Sequence, residues 1–134
     1  MKDFNERYGT MAKKISKIAA VILGVAGIIG IALPHLLGGN WSFAENVIHL
    51  FTAAMAYYFG TTATFRGART FCVIAGLFYL MLGIAGFAAR LSPDLVLTVI
   101  PNAMVLEPVD HIIHVVVGTL MFIGGIHTRK FVMT

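Results

Sequence analysis

The chain has 134 residues, of which 58% are hydrophobic and only 12% are charged, and its mean hydropathy is +0.86. A soluble domain carries roughly a quarter charged residues, so the composition excludes an ordinary soluble globule. The single cysteine excludes an internal disulfide. The net charge of +4 comes from basic residues that flank apolar runs, which indicates membrane topology and argues against nucleic-acid binding.

Four apolar segments divide the chain, each close to the ~20 residues with which a helix crosses a ~30 Å hydrocarbon core. They are Ile18–Leu37, Phe43–Gly60, Phe71–Ala89 and Val109–Ile126. Lipid offers no hydrogen-bond partner to an open strand. We therefore predict an all-α membrane protein, a four-helix up-and-down bundle that forms one integral membrane domain over residues 1–134. The predicted helices span about 15–37, 43–60, 70–89 and 108–127.

The basic residues give an orientation to these crossings. Nine of the ten Lys and Arg residues lie in the N-terminal tail, the second loop and the C-terminal tail, and only Arg90 lies in an opposite loop. The positive-inside rule then predicts that both termini are cytoplasmic. The bilayer is the expected partner of the chain.

The first and third helices share a glycine pattern. The sequence LGVAGIIGIALP at 23–34 aligns with LGIAGFAARLSP at 82–93, and the glycine pair and the proline stay in register. Small residues allow close helix packing in lipid, so we expect these glycines to face a neighbouring helix. The first and third helices run in the same direction, so the sequence predicts two parallel copies of one helical hairpin.

The second and fourth helices repeat an acid followed four residues later by a histidine. Glu45 and His49 align with Asp110 and His114 when ENVIHLFTAAMAYYFG at 45–60 is set against DHIIHVVVGTLMFIGG at 110–125. Residues four apart share one helix face. Both pairs fall within the outer leaflet, where polar side chains usually face the protein interior.

Three interpretations of this symmetric set are open. His49 and His114 bind a metal ion such as Zn²⁺, Fe²⁺ or Mn²⁺, with Glu45, Asp110 and the nearby His111 as further ligands or orienting groups. Alternatively, His49 and His114 are the axial ligands of a haem or bind the magnesium of a chlorin. In the third interpretation the acids cap their helices and the histidines bind each other across the two hairpins.

The third loop differs from the first in length and polarity. Its sequence PDLVLTVI is apolar and is closed by Pro101, so we predict a segment at 93–101 that lies in the membrane interface and covers the outer face of the bundle. Asp94 is a candidate cap for a short helix in this segment.

The histidine helices resemble those of a family of small bacterial four-helix membrane proteins that is classed as a domain of unknown function. The shared motifs are N-x-x-H-L, here Asn46–Leu50, and D-x-x-x-H-x-x-x-G, here Asp110–Gly118. This sequence departs from the family in the second helix, where the first glycine after His49 is Gly60. The resemblance implies a bacterial inner-membrane protein, with no known activity.

Two functions follow as hypotheses. The first is a non-enzymatic membrane protein with a histidine and carboxylate site near the periplasmic face, because no nucleophile–base pair, phosphate loop or CxxC motif is present. The second is an accessory subunit of a larger membrane complex, or a homodimer, in which the histidines only hold the bundle together.

Overall fold

The computed structural model describes residues 2–36, 41–88 and 96–128. In these residues the chain forms four helices and one two-stranded antiparallel sheet. The elements in chain order are α1 (Lys2–Ala32), α2 (Phe43–Thr61), α3 (Phe65–Ala88), β1 (Leu97–Ile100), β2 (Met104–Leu106) and α4 (Pro108–His127). The helical prediction is therefore confirmed.

Three of the helices are long and apolar enough to cross a membrane: α3, α4 and the part of α1 at Met11–Ala32. The helices differ from the predicted bounds at three ends. The first helix begins at Lys2 rather than at about 15. It ends at Ala32 rather than at 37, because Pro34 disfavours helical backbone in the residue before it. The third begins at Phe65 rather than at 70, where the Thr64 hydroxyl accepts a hydrogen bond from the Gly67 N–H at 3.2 Å.

The helices pack as two hairpins, α1 with α2 and α3 with α4, which have the most extensive contacts in the described structure. Glycines make this approach possible. A methyl group on Gly76 would run into the backbone of Phe122, and one on Gly118 would run into the backbone of Leu80. The close helix packing predicted from the glycines is thus confirmed.

Corresponding glycines of α1 and α3 make matching contacts, but not in the register that the sequence alignment indicated. The contacts pair Gly27 with Gly83, whereas the alignment paired Gly27 with Gly86. Each member of the observed pair lies against a backbone oxygen and a side chain of its partner helix, namely those of Asn46 and Leu50 for Gly27 and those of His111 and Val115 for Gly83. Glycines recur every three residues in both helices, so a shift of three leaves the pattern superficially intact.

The two hairpins meet through side chains near one end of the bundle. The hydroxyl of Ser16 and the thiol of Cys72 lie 3.1 Å apart, and the thiol also donates to the carbonyl oxygen of Ala12 at 3.4 Å. Thr128 accepts a hydrogen bond from the Ala12 N–H at 3.0 Å. All four side chains are buried, so this cluster ties α1, α3 and the end of α4 together.

A β-hairpin covers the opposite end of the bundle, where the sequence had suggested a short interfacial helix. Leu97 pairs with Leu106 and Ile100 with Met104. Asn102 has φ 61 in the connecting turn and follows Pro101, which are the residues that a type II turn favours at its two central positions. The β-branched run before Pro101 suits a strand better than a helix. Asp94 and the start of the predicted segment lie outside the described residues.

Candidate metal site between the two hairpins

The two acids identified in the sequence lie at matching places in the first turns of α2 and α4. Ser42 is the N-cap of α2, and its hydroxyl accepts a hydrogen bond from the Glu45 N–H at 3.2 Å. Glu107 is the N-cap of α4, and its N–H donates to the Asp110 carboxylate at 2.7 Å. Each acid therefore stands three residues after a cap.

Their carboxylates nevertheless do different things. Asp110 closes a capping box with Glu107, an ordinary stabilising arrangement at a helix start. The Glu45 side chain is 1% exposed, and its carboxyl group lies against that of Asp110. It accepts no hydrogen bond from the backbone or from a basic group of the described residues, so Glu45 is the acid that is available to a ligand.

The two histidines meet across the hairpins. The Nε2 atoms of His49 and His114 lie 3.3 Å apart, and the two rings are inclined at 76° with centroids 5.6 Å apart. Both side chains are buried, although α2 and α4 are not among the closely packed helix pairs. The imidazoles therefore bridge a gap that the helix backbones leave open.

Tyr79 of α3 orients the histidine pair by packing. Its ring lies 6.3 Å from that of His49 in a stacked arrangement and 5.1 Å from that of His114 edge-on. The Nδ1 atoms of both histidines make no hydrogen bond with the described residues. Ring contacts, rather than hydrogen bonds from Nδ1, thus fix how the imidazoles face each other.

Glu45, His49 and His114 together form a group that could hold a metal ion, because one ligand atom from each lies within 4.8 Å of the others. Two bonds of about 2.0–2.1 Å at a tetrahedral zinc place imidazole nitrogens about 3.3–3.4 Å apart. The observed separation of 3.3 Å matches that value. The histidines are already spaced for one shared ion, and a modest movement of Glu45 would complete a third ligand.

The haem interpretation fits this geometry less well. Axial ligands on opposite sides of a metal stand about 4 Å apart when each bond is about 2 Å, and a macrocycle must also lie between them. The His49 and His114 nitrogens are closer than that, and their rings are nearly perpendicular.

Asp110 and His111 lie beside the group without joining it. The carboxyl groups of Asp110 and Glu45 are electrostatic neighbours, but Asp110 is committed to its cap. The His111 ring occupies the space that Gly86 leaves on α3 and stacks edge-on against Phe87, with centroids 5.6 Å apart. His111 thus contributes chiefly to the packing of α4 on α3.

A cavity of about 180 Å³ adjoins the three donors. Val99, Ile100 and Met104 of the β-hairpin line one side of the cavity, and Tyr79 lines another. Neither Tyr79 nor Met104 was among the site residues predicted from the sequence. A signal for Tyr79 was present, because it stands four and seven residues before Gly83 and Gly86 and so shares the buried glycine face of α3.

No protein-family model, curated protein or solved structure matches this chain. The resemblance to the bacterial family of four-helix membrane proteins therefore stays a prediction, and the site has to be interpreted from its own chemistry.

Proposed function

We propose that this protein crosses the bacterial inner membrane four times, with both termini in the cytoplasm, and binds a transition-metal ion near the periplasmic face. The observation that carries the proposal is the convergence of the buried side chains of Glu45, His49 and His114 between the helices. The role that we propose is non-enzymatic. The ion would be held between the two hairpins and would link them.

The fourth crossing is supported by the distribution of polar residues in α2. This helix has 19 residues, which gives a length of about 28 Å. Its polar side chains Glu45, Asn46 and His49 are buried, whereas Phe43 and Phe51 are exposed. A helix whose polar side chains face the protein interior and whose phenylalanines face outward is suited to a lipid environment.

The neighbouring acids give a second reason for a cation. Two neighbouring carboxyl groups in a medium of low dielectric constant have to be neutralised, either by protons or by a bound cation. Glu45 has no basic partner among the described residues, so a metal ion that displaces the proton would be the counter-charge of its carboxylate.

The proposal is tested by elemental analysis of protein purified in mild detergent from metal-supplemented cells, followed by titration of the metal-depleted protein. We expect about one metal ion per chain. His49→Ala and His114→Ala should lower the metal affinity to the same extent. The loss should exceed the about 10–100-fold that is typical when only a hydrogen-bond partner of a metal ligand is removed. His127→Ala is the matched control, since His127 is exposed. Absence of stoichiometric metal from the wild-type protein in both measurements would sink the proposal.

A structural role is the second candidate, and the direct hydrogen bond between His49 and His114 favours it. In that case the histidines clasp the two hairpins, and the exposed apolar helix faces pack against other subunits of a membrane complex. Gentle extraction followed by size analysis separates the two. The structural role would be favoured if other subunits co-purify, if the protein contains no metal, and if His49→Ala lowers its stability.

A further inference from the structure

One side chain beyond the three donors gives the cavity a distinct chemistry. Met104, the first residue of β2, is 6% exposed and lines the same cavity as Glu45, His49 and His114. The remaining wall is formed by Tyr79 and by apolar side chains, namely Ile48, Phe78, Leu82, Val99 and Ile100. A thioether is thus the only sulfur that the described residues offer to this cavity.

We propose, on the basis of the metal site argued above, that its ion is copper(I), with Met104 as a ligand beside His49 and His114. Thioether sulfur is a soft donor that selects Cu(I), whereas carboxylate and water suit Mg²⁺, Ca²⁺ and Mn²⁺. Imidazole binds copper as well as zinc. Two imidazoles and a thioether that line the same cavity therefore favour a soft ion.

The apolar lining of the cavity also favours an ion that binds without water. Hard ions such as Mg²⁺ lose their water reluctantly and keep several waters when bound. The cavity holds about 180 Å³ and is lined mainly by hydrocarbon, so it offers such waters few hydrogen-bond partners. Copper(I), bound by three or four protein ligands without water, suits this apolar lining.

The test measures the affinity of the detergent-purified chain for two ions, Cu(I) under anaerobic reducing conditions and Zn²⁺, each against a competing chelator. Met104→Leu should lower the Cu(I) affinity about tenfold or more, a change of about 1.4 kcal/mol, and change the Zn²⁺ affinity by less than about twofold. Met121→Leu is the matched control, because Met121 is also fully buried but does not line the cavity. It should leave both affinities unchanged.

Unchanged Cu(I) affinity in Met104→Leu, or an equal loss of affinity for both ions, would overturn the copper assignment while leaving a metal site in place. Failure of the wild-type chain to bind either ion would instead overturn the proposed function itself. X-ray absorption of the Cu(I)-loaded wild-type protein needs no variant and keeps the test decisive if Met104→Leu does not fold. A sulfur atom among the copper ligands is expected, and a shell of nitrogen and oxygen alone contradicts the proposal.

Discussion

The hairpin formed by α1 and α2 and the hairpin formed by α3 and α4 place an acid at the same position and use it in opposite ways. Asp110 turns back to the backbone and caps α4. At the start of α2 it is Ser42 that caps the helix, and the Glu45 carboxyl group accepts no hydrogen bond from the described backbone and lies against the Asp110 carboxyl group instead. Because the Ser42 hydroxyl already accepts a hydrogen bond at the start of α2, the Glu45 carboxylate is not needed as a cap there.

A second difference between the hairpins lies on the helices that pack against the histidines. In the register set by the glycine contacts, Leu23 of α1 corresponds to Tyr79 of α3, and both are buried. Only the tyrosine packs against both imidazoles. Contacts that both hairpins share therefore hold the bundle together, whereas the positions at which they differ surround the candidate site.

Stability should change most when a glycine that sets the distance between two helices is substituted. Gly76→Ala should lower the free energy of unfolding by about 1–3 kcal/mol, as overpacking does, because the new methyl group meets the backbone of α4. Gly24→Ala is the control in the other hairpin, where the methyl group would lie 3.8 Å from Ala53, an ordinary contact. Thermal unfolding in detergent measures both, and equal melting temperatures would contradict the role assigned to Gly76.

The difference between the two acids is tested by substituting each one and measuring both stability and metal binding. Asp110→Ala removes the acceptor of the Glu107 N–H and should lower the free energy of unfolding by about 0.5–1.5 kcal/mol, the usual net value of one hydrogen bond, while metal binding stays intact. Glu45→Gln keeps the size of the side chain but removes the charged ligand, so it should weaken metal binding with little change in stability. Paired melting and metal-titration curves decide the matter. Loss of the metal in Asp110→Ala would show that both acids bind it.

The smallest effect is expected where the hairpins meet through Ser16 and Cys72. Cys72→Ser keeps a hydroxyl within reach of Ser16 and should change stability little. Cys72→Ala leaves the buried Ser16 hydroxyl without this partner and should cost about 1 kcal/mol, the usual net value of one hydrogen bond. Denaturation of the two variants side by side checks this, and identical curves would mean that the contact contributes no stability.

Much of the architecture could be predicted from the sequence because it follows from local chemistry. Long apolar runs must form helices in lipid, and acids three residues after a helix start are natural caps. The helix around Glu45 and His49 was placed correctly for these reasons. The register of the glycine faces was not, since a pattern with a period of three aligns equally well after a shift of one period.

The β-hairpin at 97–106 was missed because an apolar segment of this length fits an interfacial helix as well as a strand. The turn at Pro101 and Asn102 decides between them, together with the burial of Met104 and Leu106 against the bundle. The position of Met104 at the cavity therefore depends on this turn, which hydrophobicity alone does not predict.

Hydrophobicity and residue spacing are enough to predict that the chain is helical and apolar, and that an acid and a histidine share one face of α2 and of α4. The packing of the two hairpins places His49 and His114 3.3 Å apart, brings Glu45 beside them and puts Met104 in the lining of the same cavity. These contacts join residues that are far apart in the chain. Helix formation and capping depend on residues within one or two turns, whereas a metal site depends on how two separate hairpins pack against each other.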